Sequence, residues 1–218
     1  ILRHNFIETA AKVIVGHPVE KVDNPLFELN YVGVKAPQFS FTRLEGADPT
    51  VGVEMASTGE VACLGDDFDE AFLKALLSVG YKLPIKSVLV SSGKEEEKYM
   101  LLESMRELVA QSIAIYATPG TAAFLKEHNV ACTPLNWPLD GKSPSTVDYI
   151  KEGKISLVIN IPKNYQEEEL TNDYLIRRTA VDFNVPLITN KQIAMRFIEA
   201  IGRYDIDKLA IKAWQEYQ

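Results

Sequence analysis

Residues 112–126 read S-I-A-I-Y-A-T-P-G-T-A-A-F-L-K. An apolar, partly β-branched run (Ile113, Ala114, Ile115, Tyr116) stops at Thr118-Pro119-Gly120-Thr121, and a helix-forming run begins at Ala122. That order predicts a buried strand, a tight turn and a new helix. The first amides of a helix lack intrahelical partners and carry about half a positive charge. Two threonine hydroxyls and a glycine there let an anion approach the backbone. The same T-x-x-T spacing also serves an N-cap that merely starts a helix, and spacing alone leaves the two readings level.

On both sides of this stretch the same grammar repeats. Strands are expected at 87–91, 112–117, 131–135, 156–161 and 186–189. Helices are expected between them at 95–110, 121–128, 145–151, 172–183 and 191–202, with a final amphipathic helix at 206–217. Apolar strands separated by helices predict an α/β fold, a five-stranded parallel doubly wound sheet of flavodoxin-like size. In such a sheet ligands sit outside the carboxyl ends of the strands, which points to 91–94, 118–121, 136–137 and 160–164.

Before Pro84 the pattern differs. Residues 1–16 place Phe6, Ala10, Val13 and Ile14 on one helical face, closed by Gly16, and the chain is expected to open in mid-helix, as part of something longer. Extended runs follow at 31–35, 39–41, 51–55 and 60–63, with a turn at 57–59. Asp66-Asp67 caps a helix whose apolar face is Phe68, Ala71, Phe72, Ala75 and Leu76. The boundary at Lys82-Leu83-Pro84-Ile85-Lys86 divides a strand-rich α+β tail, 1–84, from the α/β unit, 85–218.

Composition narrows the function classes. The 218 residues are 46% hydrophobic and carry a net charge of −7, which argues against sequence-independent nucleic-acid binding. No apolar run nears the roughly 20 residues of a membrane span. Cys63 and Cys132 lie far apart without metal-ligand spacing, so buried reduced thiols in a reducing compartment are expected. The runs 95–97 and 167–169, each Glu-Glu-Glu, read as solvated helix starts. Glu54 and Glu60 invite a metal reading, but two carboxylates bracketing a turn is the better one. Arg177 and Arg178 are adjacent on a helix, so one is expected to face the sheet ends or a neighbouring unit and the other solvent.

The run E-M-A-S-T-G-E-V at 54–61, with the helix after it, resembles the end of the carbamoyl-phosphate-making half of the carbamoyl phosphate synthetase large chain. Y-A-T-P-G-T, L-N-W-P, L-V-I-N-I-P and Y-L-I-R-R-T-A-V-D-F-N-V-P-L-I-T-N, between 116 and 190, resemble motifs of its carboxyl-terminal, methylglyoxal-synthase-like regulatory domain. The resemblance implies that 1–84 is the tail of an ATP-grasp domain. Its catalytic residues, ATP and Mg (or Mn) would belong to an upstream part, leaving no catalytic residue, metal or cofactor in this segment. It implies an effector site at Thr118, Gly120, Thr121, Trp137 and Asn160, with Lys94 and Lys163 as candidate charges for an anion. Hydroxyls and amides suit phosphate or carboxylate, and the Trp137 indole suits a base, an acyl chain or plain rim packing.

The implied effector is a UMP- or IMP-like nucleotide, with N-acetylglutamate as the alternative. Partners implied are the rest of the synthetase, a glutaminase and a possible homo-oligomer, in the cytoplasm or, for a urea-cycle type, the mitochondrial matrix. A stand-alone methylglyoxal-synthase-type lyase and a structural oligomerisation module are the rival classes. Asp140, in P-L-D-G-K-S-P-S, lacks the catalytic context of that lyase, and Ala36 after Lys35 removes the carboxylate of an ornithine site.

Overall fold

The computed structural model describes residues 4–21, 29–50, 59–162 and 170–217. Helix α1 (Phe6–Ile14) starts at an N-cap, Asn5, whose side chain accepts the Glu8 amide at 3.0 Å. The expected helix thus has its own capped start at Asn5, residues 1–3 lie outside the described residues, and no residue of α1 is buried. Strands β1 (Val32–Gln38) and β2 (Gly59–Gly65) form an antiparallel pair on which α2 (Phe68–Ser78) packs. Gly65 is required there: a Cβ would lie 2.4 Å from the Ala71 nitrogen and 2.9 Å from the Asp67 oxygen. The extended run expected at 39–41 is instead a 3-10 turn, Phe41–Arg43, and 51–55 and 57–58 lie outside the described residues.

Next come β3 (Ser87–Ser92), α3 (Glu95–Ala110), β4 (Ala114–Ala117), α4 (Pro119–Glu127), β5 (Thr133–Pro134), α5 (Thr146–Lys151), β6 (Leu157–Ile161), α6 (Leu170–Asp182), β7 (Leu187–Ile188) and α7 (Lys191–Arg203). The five strands are parallel, in the order β5-β4-β3-β6-β7. Counted from β3 this is 3-2-1-4-5, not the 2-1-3-4-5 of flavodoxin itself. The winding reverses between β3 and β6, which places the ligand crevice of a doubly wound sheet at Ser91, Ser92 and Asn160.

Every residue of β3 and β6 is buried, because helices cover both faces. Val88, Val90, Leu157 and Ile159 point into a core shared with Leu101 and Met105 of α3, Phe124 of α4 and Phe197 of α7. Leu89 and Val158, on the opposite face, meet Ile150 of α5 and Ile176 of α6. Leu73 and Leu76 of α2 join the first of these cores, while Phe68, expected on the buried face, is exposed with Arg196 stacked over its ring at 4.7 Å.

Six of the described helices end in one motif. After α3 the Ile113 amide bonds Leu108 O and the Ser112 amide bonds Val109 O, with Ser112 at φ 60°. This double bond closes the helix and aims the chain at the next strand. It recurs at Gly16, Gly80, Asn129, Gly153 and Asn184. It is also why β4 starts at Ala114 and not at Ser112. The final helix expected at 206–217 is absent. Two 3-10 turns, Ile206–Lys208 and Trp214–Glu216, flank an irregular segment. That path brings the Tyr217 hydroxyl to Leu64 O at 2.8 Å and its ring to Tyr31 at 5.9 Å, contacts beyond the reach of a continuous helix leaving α7.

Candidate functional site

Thr118 ends β4 in extended geometry and occupies the N-cap of α4, with Pro119 in the first turn, where its missing N–H costs nothing. The amides of Gly120 and Thr121 precede the first intrahelical bond, from the Ala122 amide to Thr118 O at 2.8 Å. Thr118 makes no side-chain cap bond. Its hydroxyl instead lies 3.3 Å from both Ser91 Oγ and Thr121 Oγ1. Thr121 Oγ1 accepts the Ser92 amide at 3.1 Å and donates to Ser92 O at 3.3 Å. The two threonines thus staple α4 to the end of β3.

Above the staple lies a cavity of about 260 Å³ lined by Ser91, Ser92, Gly93, Lys98, Thr118, Gly120, Thr121, Trp137, Asn172 and Asp173. Ser92 lines this cavity and also a small apolar one beside it, with Val90, Leu101 and Met105; the residue is 5% exposed, and its buried Oγ has no hydrogen-bond partner among the described residues. A buried hydroxyl left in that state costs about 1–3 kcal/mol unless something completes it. Gly120 has no Cβ to narrow the opening, and the atom nearest to one would be Lys98 Nζ, at 3.9 Å. A cation and free helix amides therefore border one space, with an uncompleted hydroxyl in its wall.

The floor is negative. Asp173 Oδ1 accepts from Ser91 Oγ at 3.1 Å and from Asn160 Nδ2 at 2.8 Å. Arg177 Nη1 donates to Asn160 Oδ1 at 2.9 Å, and Arg177 Nε and Nη2 grip the two Asp48 oxygens at 2.8 and 2.5 Å. Burial pushes the Asp48 carboxyl up, but hydrogen bonds and charge from Arg177, with bonds from Thr50, hold it below the ordinary carboxylate value. Both arginines engage residues 41–48. Arg178, not turned simply to solvent, donates to Phe41 O, Leu44 O and Ala47 O, and pairs with Asp182.

Of the expected site residues, Thr118, Gly120, Thr121 and Trp137 line the cavity. Trp137 stands at the rim, on a loop tied to α6 by the Leu139 amide donating to Asn172 Oδ1 at 3.0 Å. Asn160 is wholly buried beneath the floor, its amide committed to Asp173 and Arg177. Lys94 is exposed at the N-cap of α3 and does not line the cavity, whereas Lys98, one turn on, does. Lys163 lies outside the described residues. Sequence reasoning missed Lys98 and the floor role of Asp173; Ser92 fell within the strand end at 91–94 that it pointed to. The i, i+4 step from Lys94 was the available signal, since the first turn of a helix leaving a strand returns over the strand end.

A larger cavity, about 590 Å³, opens between β2, α2 and the carboxyl-terminal segment. It is lined mainly by Ala62, Leu64, Leu77, Leu209, Ile211 and Trp214, and its Lys74 is paired with Glu70 at 2.7 Å. Asp140 is exposed and does not line the 260 Å³ cavity. Among the described residues no three His, Cys, Asp or Glu side chains converge to hold a metal, and Glu60 pairs with Lys35 at 2.8 Å. Glu54 and residues 167–169 lie outside the described residues; Cys63 and Cys132 are half-buried free thiols, not fully buried ones. Among the described residues no helix is long and apolar enough to cross a membrane.

Comparison with known proteins places residues 100–189 in the MGS-like domain family. The chain is 44% identical over 207 residues to multifunctional protein pyr1-3 of Dictyostelium discoideum, a match covering 92% of this chain and 9% of that one. It is 39% identical over 223 residues to the mitochondrial carbamoyl-phosphate synthase (ammonia) of Homo sapiens, covering 98% and 15%. It is 45% identical over 213 residues to multifunctional protein URA2 of Saccharomyces cerevisiae, covering 91% and 9%. The chain thus spans between 9% and 15% of the length of these curated relatives.

Proposed function

Residues 100–189 form an MGS-like domain, in a chain homologous to the carboxyl-terminal regions of carbamoyl-phosphate synthases, and from that premise we propose that 85–218 is a regulatory domain and 1–84 the tail of an ATP-grasp domain. The parent activity in this reading is the ligase reaction that makes carbamoyl phosphate from bicarbonate, glutamine-derived ammonia and two ATP, for pyrimidines and arginine. ATP and Mg (or Mn) are then held outside this segment, beside the rest of the synthetase and a glutaminase. The compartment in this reading is the cytoplasm, or the mitochondrial matrix if the parent is of the type of the human relative, whose name places it in mitochondria.

The cavity at the strand ends takes a phosphate-bearing effector. The observation that carries this reading is one opening lined by Lys98 and the head of α4, beside Ser92 with its unpartnered hydroxyl. Phosphate offers several strong acceptors to such donors. The space is slightly under the roughly 300 Å³ usual for a ligand pocket, so the rest of a nucleotide extends over the rim, where Trp137 offers an aromatic face. Asp173 in the lining favours a ligand that also brings donors, such as ribose hydroxyls. Regulation follows by linkage: an effector preferring one synthetase conformation shifts the equilibrium by its differential affinity, typically about 1–3 kcal/mol.

Calorimetric titration of the chain with UMP, IMP, N-acetylglutamate and inorganic phosphate tests this. A nucleotide is expected to bind, Lys98→Met to weaken it about tenfold or more, and Lys94→Met to leave it within about twofold. Silence toward all four overturns the effector reading and leaves a structural module.

A further inference from the structure

Arg177 is the largest of the fully buried side chains, at 0% exposure, and it is charged. Burying a guanidinium is costly unless every face of it is paired, so its partners define what it does. On one side it forks onto Asp48 of the tail, and on the other it holds Asn160, which holds Asp173 in the cavity lining. The series continues through Ser91 to Thr118 at the head of α4. The donors converge on Asp173 from both ends: Arg177 to Asn160 and Asn160 to Asp173 on one side, Thr118 to Ser91 and Ser91 to Asp173 on the other.

We propose that this series is a relay through which occupancy of the cavity is linked to the hold on residues 44–50 of the tail, with Arg177 as the positioning residue between them. The ligand-driven half of the proposal rests on the effector reading above. Ser91 supplies the two-state element: its hydroxyl has one proton, given to Asp173 in this structure and claimed by any anion that enters the cavity. When Ser91 turns to the ligand, Asp173 keeps only the Asn160 amide. Asn160 is then less firmly oriented, and the Arg177 fork on Asp48 loses its backing. Asp48 in turn organises its own loop, accepting the Thr50 amide at 3.2 Å and the Thr50 hydroxyl at 2.9 Å. Arg178 grips the same loop through the carbonyls of Phe41, Leu44 and Ala47 and not through Asn160, which makes it the internal control.

Hydrogen exchange on the full chain without ligand decides the relay. Ser91→Ala and Asp173→Asn act at the cavity end, and both are expected to speed exchange of amides 44–50 roughly threefold or more while α1 is unchanged. Unchanged exchange at 44–50 in a variant with a native far-ultraviolet circular dichroism spectrum overturns the relay. So does a uniform acceleration across all helices, which signals general loosening. Should Asp173→Asn fail to fold, Ser91→Ala, which removes one hydroxyl, decides alone. A UMP titration then tests the ligand-driven half. Arg177→Lys keeps the charge but loses the fork, and because occupancy and the hold on the tail oppose one another it is expected by reciprocity to tighten UMP about fivefold or more, with Arg178→Gln within about twofold. Equal effects of the two overturn the linkage, whereas a wild-type chain silent toward UMP removes the effector reading and leaves the exchange result standing for the relay.

Discussion

At Gly120 a methyl group has room, since the atom nearest an added Cβ is Lys98 Nζ at 3.9 Å. The same methyl would stand between that ammonium and the first amides of α4. Gly120→Ala is therefore expected to hold or raise stability, by up to about 1 kcal/mol from helix propensity, yet to weaken UMP several-fold in calorimetry. A variant that loses stability and keeps affinity would contradict this. Asp48 gives a second residue-level test. Its carboxyl lies below the ordinary value of 3.8 in the folded chain. A depressed acid contributes its stability in full above the unfolded value and loses it as pH falls through the folded one. The gap in urea-unfolding stability between wild type and Asp48→Asn should stay constant down to about pH 5 and close below 3.8. Lys98 shows why single residues were harder to read than their neighbourhood: Lys94 sits at the strand end in sequence, but the turn of α3 carries the residue four places later over the cavity.

Elements were more legible than residues because periodicity survives averaging over many side chains. β3, α3, β6 and α7 fall within a residue or so of the ranges expected from sequence. The misses have tertiary causes. An amphipathic pattern at 206–217 gave way to two 3-10 turns because Tyr217 gains Leu64, Lys74 and Tyr31 as partners. Strand β4 lost its first two expected residues to the turn that closes α3, where Ser112 takes φ 60°. A serine in that left-handed conformation is strained by about 1–2 kcal/mol, part of which a glycine returns as extra freedom in the unfolded chain. Ser112→Gly is accordingly expected to raise stability by about 0.5–1 kcal/mol, read as a higher urea midpoint with unchanged slope. A lower midpoint would show that the serine side chain matters more than its backbone.

Across the whole molecule, the tail and the α/β unit are fastened at several places. α2 sends Leu73 and Leu76 into the core beneath β3 and β6, and Asp69 of α2 pairs with Arg196 and Arg203 of α7. Arg177 and Arg178 hold residues 41–48, and Tyr217 returns to β2. Leu73 is fully buried, so Leu73→Ala should cost about 2–5 kcal/mol. Because that core is shared, the loss should lower one cooperative transition in denaturant, not split it in two. Separate transitions would mean that the division near residue 84 is energetic as well as sequential. The chain also has only two tryptophans, and they stand apart: Trp137 at the rim of the polar cavity and Trp214, 54% exposed, beside the apolar one. Their indoles are separate optical reporters already in place, so with Trp214→Phe the intrinsic emission of the protein speaks for the strand-end cavity alone, and with Trp137→Phe for the far side, without any dye being attached.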